Sequence, residues 1–261
     1  MSQVNEISTP TEPDPSPAAA PLGLREINIE ARRQRILQGA RGLIVEGGVA
    51  ALSMRKLAER AELSVTTLYN LFGSRGEILS ALVDDAIDRM DQILEREAPL
   101  EDPLERCRAV ITVSIRHLVE HQAIFRPMVM ASYQELEAHH GGDRRTAERA
   151  ADMQRVAIEA AIAQGLLSDT LDPGVLARQI YHGYELAHLM WGIGGHDEAT
   201  FEARALYGLY LALFGVATDA SRPKIQRELQ QLEQRLGASG PHQRTQRETD
   251  PRTHGKPTGT A

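Results

Sequence analysis

One cysteine among 261 residues, Cys107, has no partner in the chain for a disulfide, which excludes a covalently stapled fold and fits a reducing cytosol. No uncharged apolar stretch reaches the roughly 18 to 20 residues of a membrane span; the longest lies between Arg204 and Asp219. The first twenty residues lack the apolar segment of a secretory signal and instead carry acids and prolines, Pro10, Pro13, Pro15 and Pro17, with Pro21 just beyond. A Gly-rich phosphate loop, a nucleophile elbow and a Cys-rich cluster are missing too, and Gly192-Ile193-Gly194-Gly195 reads as a helix stop. No internal repeat is apparent. These absences point to a soluble, cytoplasmic protein without an evident catalytic motif or cofactor.

What is present suits a helical protein. Hydrophobic residues make up 42% of the chain, enough for one or two domains with a sizeable core. Residues 1–24, rich in Pro, Ala and acid, read as a disordered arm, because such a stretch buries too little apolar surface to offset chain entropy. Helices are expected from there to about Thr218. Residues 221–261 read as a polar, largely disordered tail. Within it Ile225, Leu229, Leu232 and Leu236 repeat at helical spacing, either a small docking surface or, as so few apolar residues favour, a weakly attached extension.

The segment from Ser53 to Arg75 is the most informative. Ser53 is placed to cap a helix with Met54, Leu57, Ala58 and Ala61 on its buried stripe. Ser64 is placed to cap a second, with Leu68 and Phe72 inward and Val65, Thr66, Tyr69 and Asn70 outward. Ser74 and Glu77 match a capping box that opens a third. Two short helices joined by a turn around Ala61 to Leu63 form a helix-turn-helix, whose second helix enters the major groove of DNA. Thr66 and Asn70 can bond base edges and Val65 can touch a thymine methyl; Tyr69, Thr67, Ser53 and Arg75 are candidates for phosphates, and Ser64 caps the reading helix. An ordinary pair of packed helices is the bland alternative.

The pattern Leu63-Ser64-x-x-Thr67-Leu68-Tyr69-x-x-Phe72-x-Ser74-Arg75-x-Glu77-x-Leu79, preceded by Leu57-Ala58-x-x-Ala61, resembles the tetracycline-repressor (TetR) family of bacterial transcription regulators. The resemblance runs from about Ala31 to Met90; the remainder matches only in helical character and length. It implies phosphate contacts by Thr67, Tyr69 and Arg75. Arg75 stands where the family commonly has Lys, and Gly76 departs from the family's usual helix-favouring residue. The resemblance also implies a homodimer built on the last two body helices, and a small-molecule effector that releases DNA.

Charge agrees with that output. Between Leu22 and Arg75 nine cations face five acids, a segment of +4 in a chain of −7. A basic end on an acidic body suits a protein that meets phosphates with one surface, although a solvated helix face produces the same modest excess.

The expected architecture is all-α: a helix-turn-helix DNA-binding domain at 25–75 and a helical ligand-binding and dimerisation domain at 76–220. A helix from Ser74 carries Ile78, Leu82, Ala86 and Met90 toward the body. Another starts near Pro103 and runs past His121, with Pro127 expected to break or kink the path. Helices follow from about Arg144 to Gln164, closed by Gly165, from Asp172-Pro173 to Trp191, and from about Asp197 to Ala217. In the last, Gly208, Ala212 and Gly215 permit close approach while Phe201, Leu209, Leu213 and Val216 offer apolar area, for a partner subunit or for the monomer core. Candidate pocket residues are His117, His121, Phe125, Met128, Tyr133, His182, Tyr184, His188 and Trp191, apolar bodies with polar tips that serve equally as core.

His117-Leu118-Val119-Glu120-His121 also matches H-x-x-E-H, a zinc-hydrolase pattern, but nothing downstream singles out a third ligand, so no metal site is assigned. The reading is a ligand-responsive repressor binding a palindromic double-stranded operator as a homodimer. The alternatives are a helical small-molecule binder without DNA binding and, more remotely, a zinc hydrolase using His117, Glu120 and His121.

Overall fold

Three serines open helices where their spacing predicts. In the computed structural model, which describes residues 23–98, 100–138 and 144–238 (without the side chains of 24, 25, 132–138 and 144–146), the Ser53, Ser64 and Ser74 hydroxyls accept from the N–H groups of Lys56, Thr67 and Glu77 at 3.3, 3.0 and 3.1 Å. Helix α1 spans Leu24–Ala51, with Gly47 and Gly48 departing from helical geometry near its end; α2 is Met54–Ala61, α3 Val65–Phe72 and α4 Arg75–Glu97. Glu62 ends α2 in the left-handed conformation (φ 55°), the turn that throws α3 across α2. Ile36, Ala40 and Ile44 of α1, Leu57 and Ala61 of α2, Leu68 of α3 and Ile78 of α4 form the sealed core of this head, each at most 1% exposed.

The body is built on α4. Helix α5, Pro103–Glu120, is capped by Asp102 with proline in its first turn; α6 is Gln122–Ala138, α7 Arg144–Ala163, α8 Pro173–Gly192 and α9 Glu198–Gly215. Asp172 and Asp197 cap α8 and α9. Helices α7, α8 and α9 pack in sequence, α5 lies against α4, α7 and α9, and α6 bridges α1 of the head to α8. Gly192 permits that last crossing, since a Cβ there would sit 2.5 Å from a Val129 methyl.

Two expectations are corrected. The path breaks at His121, not at Pro127, which lies inside α6. The chain re-enters a helix at Gln122 and continues through Pro127, which removes one N–H bond without ending α6. The stretch beyond 221 begins as a docked helix, α10, Arg222–Ala238, rather than a loose polar tail: Ile225, Leu229 and Leu232 are 0%, 9% and 3% exposed against α9. The Ser221 hydroxyl donates to the Leu166 carbonyl, and an isolated bridge joins Leu167 to Ala217, so the start of α10 is fixed to the α7–α8 connection. The arm before 23, the Gly141-Gly142 loop and the segment from 239 lie outside the described residues.

Candidate nucleic-acid interface and body cavities

Helix α3 turns one face inward and leaves the other bare. Leu68 and Phe72 are 0% and 7% exposed, whereas Val65, Thr66, Tyr69 and Asn70 point to solvent. The Ser64 and Thr67 hydroxyls lie 2.8 Å apart at its N-terminus, where the first-turn N–H groups and the positive end of the helix dipole favour an anion. Ser53 is exposed at the start of α2. A bare polar face on a short capped helix, held by a second helix behind it, is geometry that can enter a major groove.

The cations of the head divide into two sets. Arg33 lies over the Phe72 ring, 4.5 Å from its centroid, and donates to the Leu71 carbonyl, clasping the end of α3 to α1. Arg60 pairs with Glu46, Arg41 with Asp85, and Arg75 donates from Nη2 to the Val49 carbonyl at 2.7 Å. These four hold the head together, and the Arg75 bond still leaves its other terminal nitrogen for a phosphate. Arg32, Arg35 and Lys56 are exposed, so the segment's excess charge reaches solvent through fewer residues than counting suggests.

The pocket candidates separate into different places. His117 and Phe125, both 8% exposed, and the more open His121 line a cleft of about 450 Å³ between α1, α4, the end of α5 and α6, with Arg41, Asp85 and Arg89. The two imidazoles stack 4.5 Å apart, and His121 Nδ1 lies 3.1 Å from the His117 carbonyl oxygen. Burial, then the neighbouring His121, lowers the His117 pKa. Stacked rings do not converge their lone pairs as zinc ligands must, and no cluster of three or more potential metal-ligating side chains occurs among the described residues.

Tyr184 lines a second, smaller cavity deep between α4, α5, α7 and α8, its hydroxyl 2.7 Å from that of Ser114. Burial raises its pKa. His188 stacks with Tyr184, Trp191 and Phe201, and Trp191, wholly buried, has the Arg126 guanidinium over its ring, so these two belong to an aromatic core rather than an open pocket. Met128 is likewise core, His182 is exposed on the outer side of α8, and the Tyr133 side chain lies outside the described residues. Sequence reasoning missed Gln154, which lines the deep cavity at 2% exposure. The available signal was one amide on the apolar stripe Ala150, Met153, Ala157, Ile158 and Ala161.

The apolar area expected at a dimer face is also reassigned. Phe201, Leu209, Leu213 and Val216 are at most 4% exposed within one chain. The bare apolar side chains of this helix pair include Leu186 of α8 and Leu211 of α9, 63% and 54% exposed, with Val175 in the first turn of α8 bare as well. Around them Gly183, Gly208 and Gly215 face open space.

An all-helical body carrying a capped helix-turn-helix head is an architecture shared with DNA-binding regulators, and sequence comparison narrows the likeness. Residues 36–82 match the family model for bacterial regulatory proteins of the tetR family. The HTH-type transcriptional repressor KstR of Rhodococcus jostii is 32% identical over 117 residues, 44% of this chain and 55% of that protein. A TetR-family regulator from Pectobacterium atrosepticum superposes with a TM-score of 0.54 at 25% identity, covering 74% of this chain and 97% of that one. Thermus thermophilus FadR, a repressor solved in complex with lauroyl-CoA, shares the fold with a TM-score of 0.54 at 21% identity, covering 71% of this chain and 95% of its own. Residues 36–82 are thus similar to the tetR-family regulatory segment, and the chain shares the fold of solved TetR-family regulators. It spans about half the length of the curated relatives it matches. Among the described residues, no helix is long and apolar enough to cross a membrane.

Proposed function

We propose that this protein is a ligand-responsive transcriptional repressor that binds a palindromic double-stranded operator as a homodimer in the cytoplasm. The observation that carries the reading is the solvent face of α3, where Val65, Thr66, Tyr69 and Asn70 stand clear while Leu68 and Phe72 anchor the helix. Thr66, Asn70 and Val65 read base edges; Tyr69, Thr67, Ser53 and the free terminal nitrogen of Arg75 hold phosphates. Two copies pair through Leu186 and Leu211, with the glycines beside them allowing close helix approach. Pairing sets two reading helices about one DNA turn, roughly 34 Å, apart.

Regulation follows from the junction. Helix α4 belongs to the cores of both head and body, and α6 packs on α1, so a ligand that repacks the body shifts the head. Operator affinity then falls by the effector's preference for the released conformation. Footprinting on DNA upstream of the protein's own gene, across a salt series, tests the reading. A symmetric footprint that weakens steeply with salt is expected; no protection at low salt, or the same affinity for any sequence, overturns it.

A further inference from the structure

Gln154, on α7, is a buried amide that the fold leaves unused. Its oxygen and nitrogen are both shielded from solvent and neither makes a hydrogen bond of ordinary geometry; the neighbouring Cys107 sulfur is at most a weak acceptor for the amide N–H. An amide in that state destabilises the protein relative to an apolar side chain of the same shape. It faces the deep cavity, about 40 Å³, beside Ser114 and Tyr184. Those two hydroxyls bond each other at 2.7 Å, which consumes one of their two protons and leaves the other to donate. Apart from Tyr181, whose hydroxyl is engaged by Glu185, the rest of the lining is apolar, with Met90, Met153 and Ile180 among it, and no charged side chain is among the described residues that form it. Met90 and Met153 are unbranched and repack readily, so the space can widen around a guest.

We propose that Gln154 is the polar anchor of a buried effector subsite that takes a neutral, mainly apolar molecule carrying one hydroxyl or carbonyl. The amide donates to or accepts from that single group, the Ser114–Tyr184 pair offers the remaining donor, and the apolar wall takes the carbon frame. An anion is excluded, because the lining offers no cation to offset the loss of its hydration. The inference rests on the reading of the protein as a ligand-responsive repressor and specifies which chemistry the body recognises.

Phenol, toluene and benzoate, nearly equal in size, probe the site in calorimetric titrations of the full chain. Phenol should bind about tenfold or more tightly than toluene, the loss expected when one buried hydrogen bond is not made, and benzoate should not bind. Gln154→Leu should erase the preference for phenol and raise the melting temperature, since it removes an unsatisfied amide. Gln154→Met, closer in shape, is the second variant should leucine disturb folding. Equal affinity for phenol and toluene in the native protein, persistence of the preference in either variant, tight benzoate binding, or no saturable binding of any probe overturns the proposal. Operator footprinting on the same samples without probe separates the two readings. A native protein with no footprint contradicts the repressor reading whatever the titrations show, whereas a native footprint without a preference for phenol contradicts the subsite alone.

Discussion

Arg41 of α1 and Asp85 of α4 meet at 2.6 Å where the reading head joins the body, and Arg89 reaches the same carboxylate oxygen at 2.8 Å. The Arg41 and Asp85 side chains are 19% and 16% exposed, so solvent screens the pair only in part. Removing the carboxylate leaves two guanidinium groups facing each other in a cleft. Asp85→Ala should therefore cost about 2 kcal/mol, between the values for exposed and fully buried pairs. Thermal unfolding should show a melting point lower by roughly 4 to 8 °C. Asp85→Asn, which keeps an acceptor for one arginine, should lose less, and equal losses in the two variants would show that the junction uses the charge alone and gains nothing from a neutral acceptor.

The solvent face of α3 predicts two different kinds of defect. Tyr69→Ala should weaken operator binding by a similar factor on every sequence, because a phosphate contact carries no base information. Asn70→Ala should relax preference at one base pair, about 1–3 kcal/mol of discrimination. Binding measured on a panel of single-base operator variants distinguishes them. Unchanged affinity in Tyr69→Ala contradicts the assignment of that phosphate contact.

Glu62 holds the turn of the helix-turn-helix at φ 55° and ψ 45°, with the Leu63 N–H returning to the Ala58 carbonyl at 3.0 Å. This region disfavours side chains with a Cβ, and β-branched ones most. Glu62→Val should lower stability by about 1–2 kcal/mol. Glu62→Gly should be neutral or slightly stabilising, since relief of strain outweighs the added freedom of the unfolded chain. Denaturant unfolding of the two variants checks the order, and Val more stable than Gly would show that the turn relaxes.

Burial lowers the His188 pKa from 6.5 to about 4, and its Nε2 has no partner. Above the unfolded value both states are neutral and the group contributes no pH dependence. As pH falls from about 6.5 toward 4, the unfolded chain takes a proton that the folded chain refuses, so stability drops by about 3 kcal/mol at most. His117, also shifted down, acts in the same direction. Chemical denaturation at intervals between about pH 7 and 4 should show the loss. His188→Leu should flatten the curve, and an unaltered slope would place the acid sensitivity elsewhere.

The parts of this fold legible in the sequence are the ones that local chemistry decides. Ser53, Ser64, Ser74, Asp172 and Asp197 cap helices because a short polar side chain needs only the N–H groups two or three residues on. Pro127 misled because a helix starting at Gln122 places it where little bonding is lost, and what stops α5 is the turn at His121. Helix α10 looked too polar to hold because its three apolar contacts gain value only from α9, which composition does not reveal. The same distance from local pattern hid the duties of Arg33, Arg60 and Arg75, whose partners lie on other elements. At the candidate site, the inward and outward faces of α3 were readable in the sequence, while the cavity around Gln154 depends on four helices converging.

The bare faces of α8 and α9 give the last test. Leu186 and Leu211 present apolar area that the monomer does not cover, at 63% and 54% exposure, while Phe201 and Leu213 beside them are sealed in the core. Burying a leucine side chain contributes about 1.5–3 kcal/mol, and a twofold axis applies each contact twice. Leu186→Glu or Leu211→Glu should therefore shift sedimentation from dimer to monomer while the melting point of the isolated chain changes little. Because two linked half-sites bind far more tightly than one, the same variants should lose most operator affinity yet keep their bare α3 face. A variant that is monomeric but binds the full operator at native strength would separate pairing from recognition and contradict the dimeric mechanism.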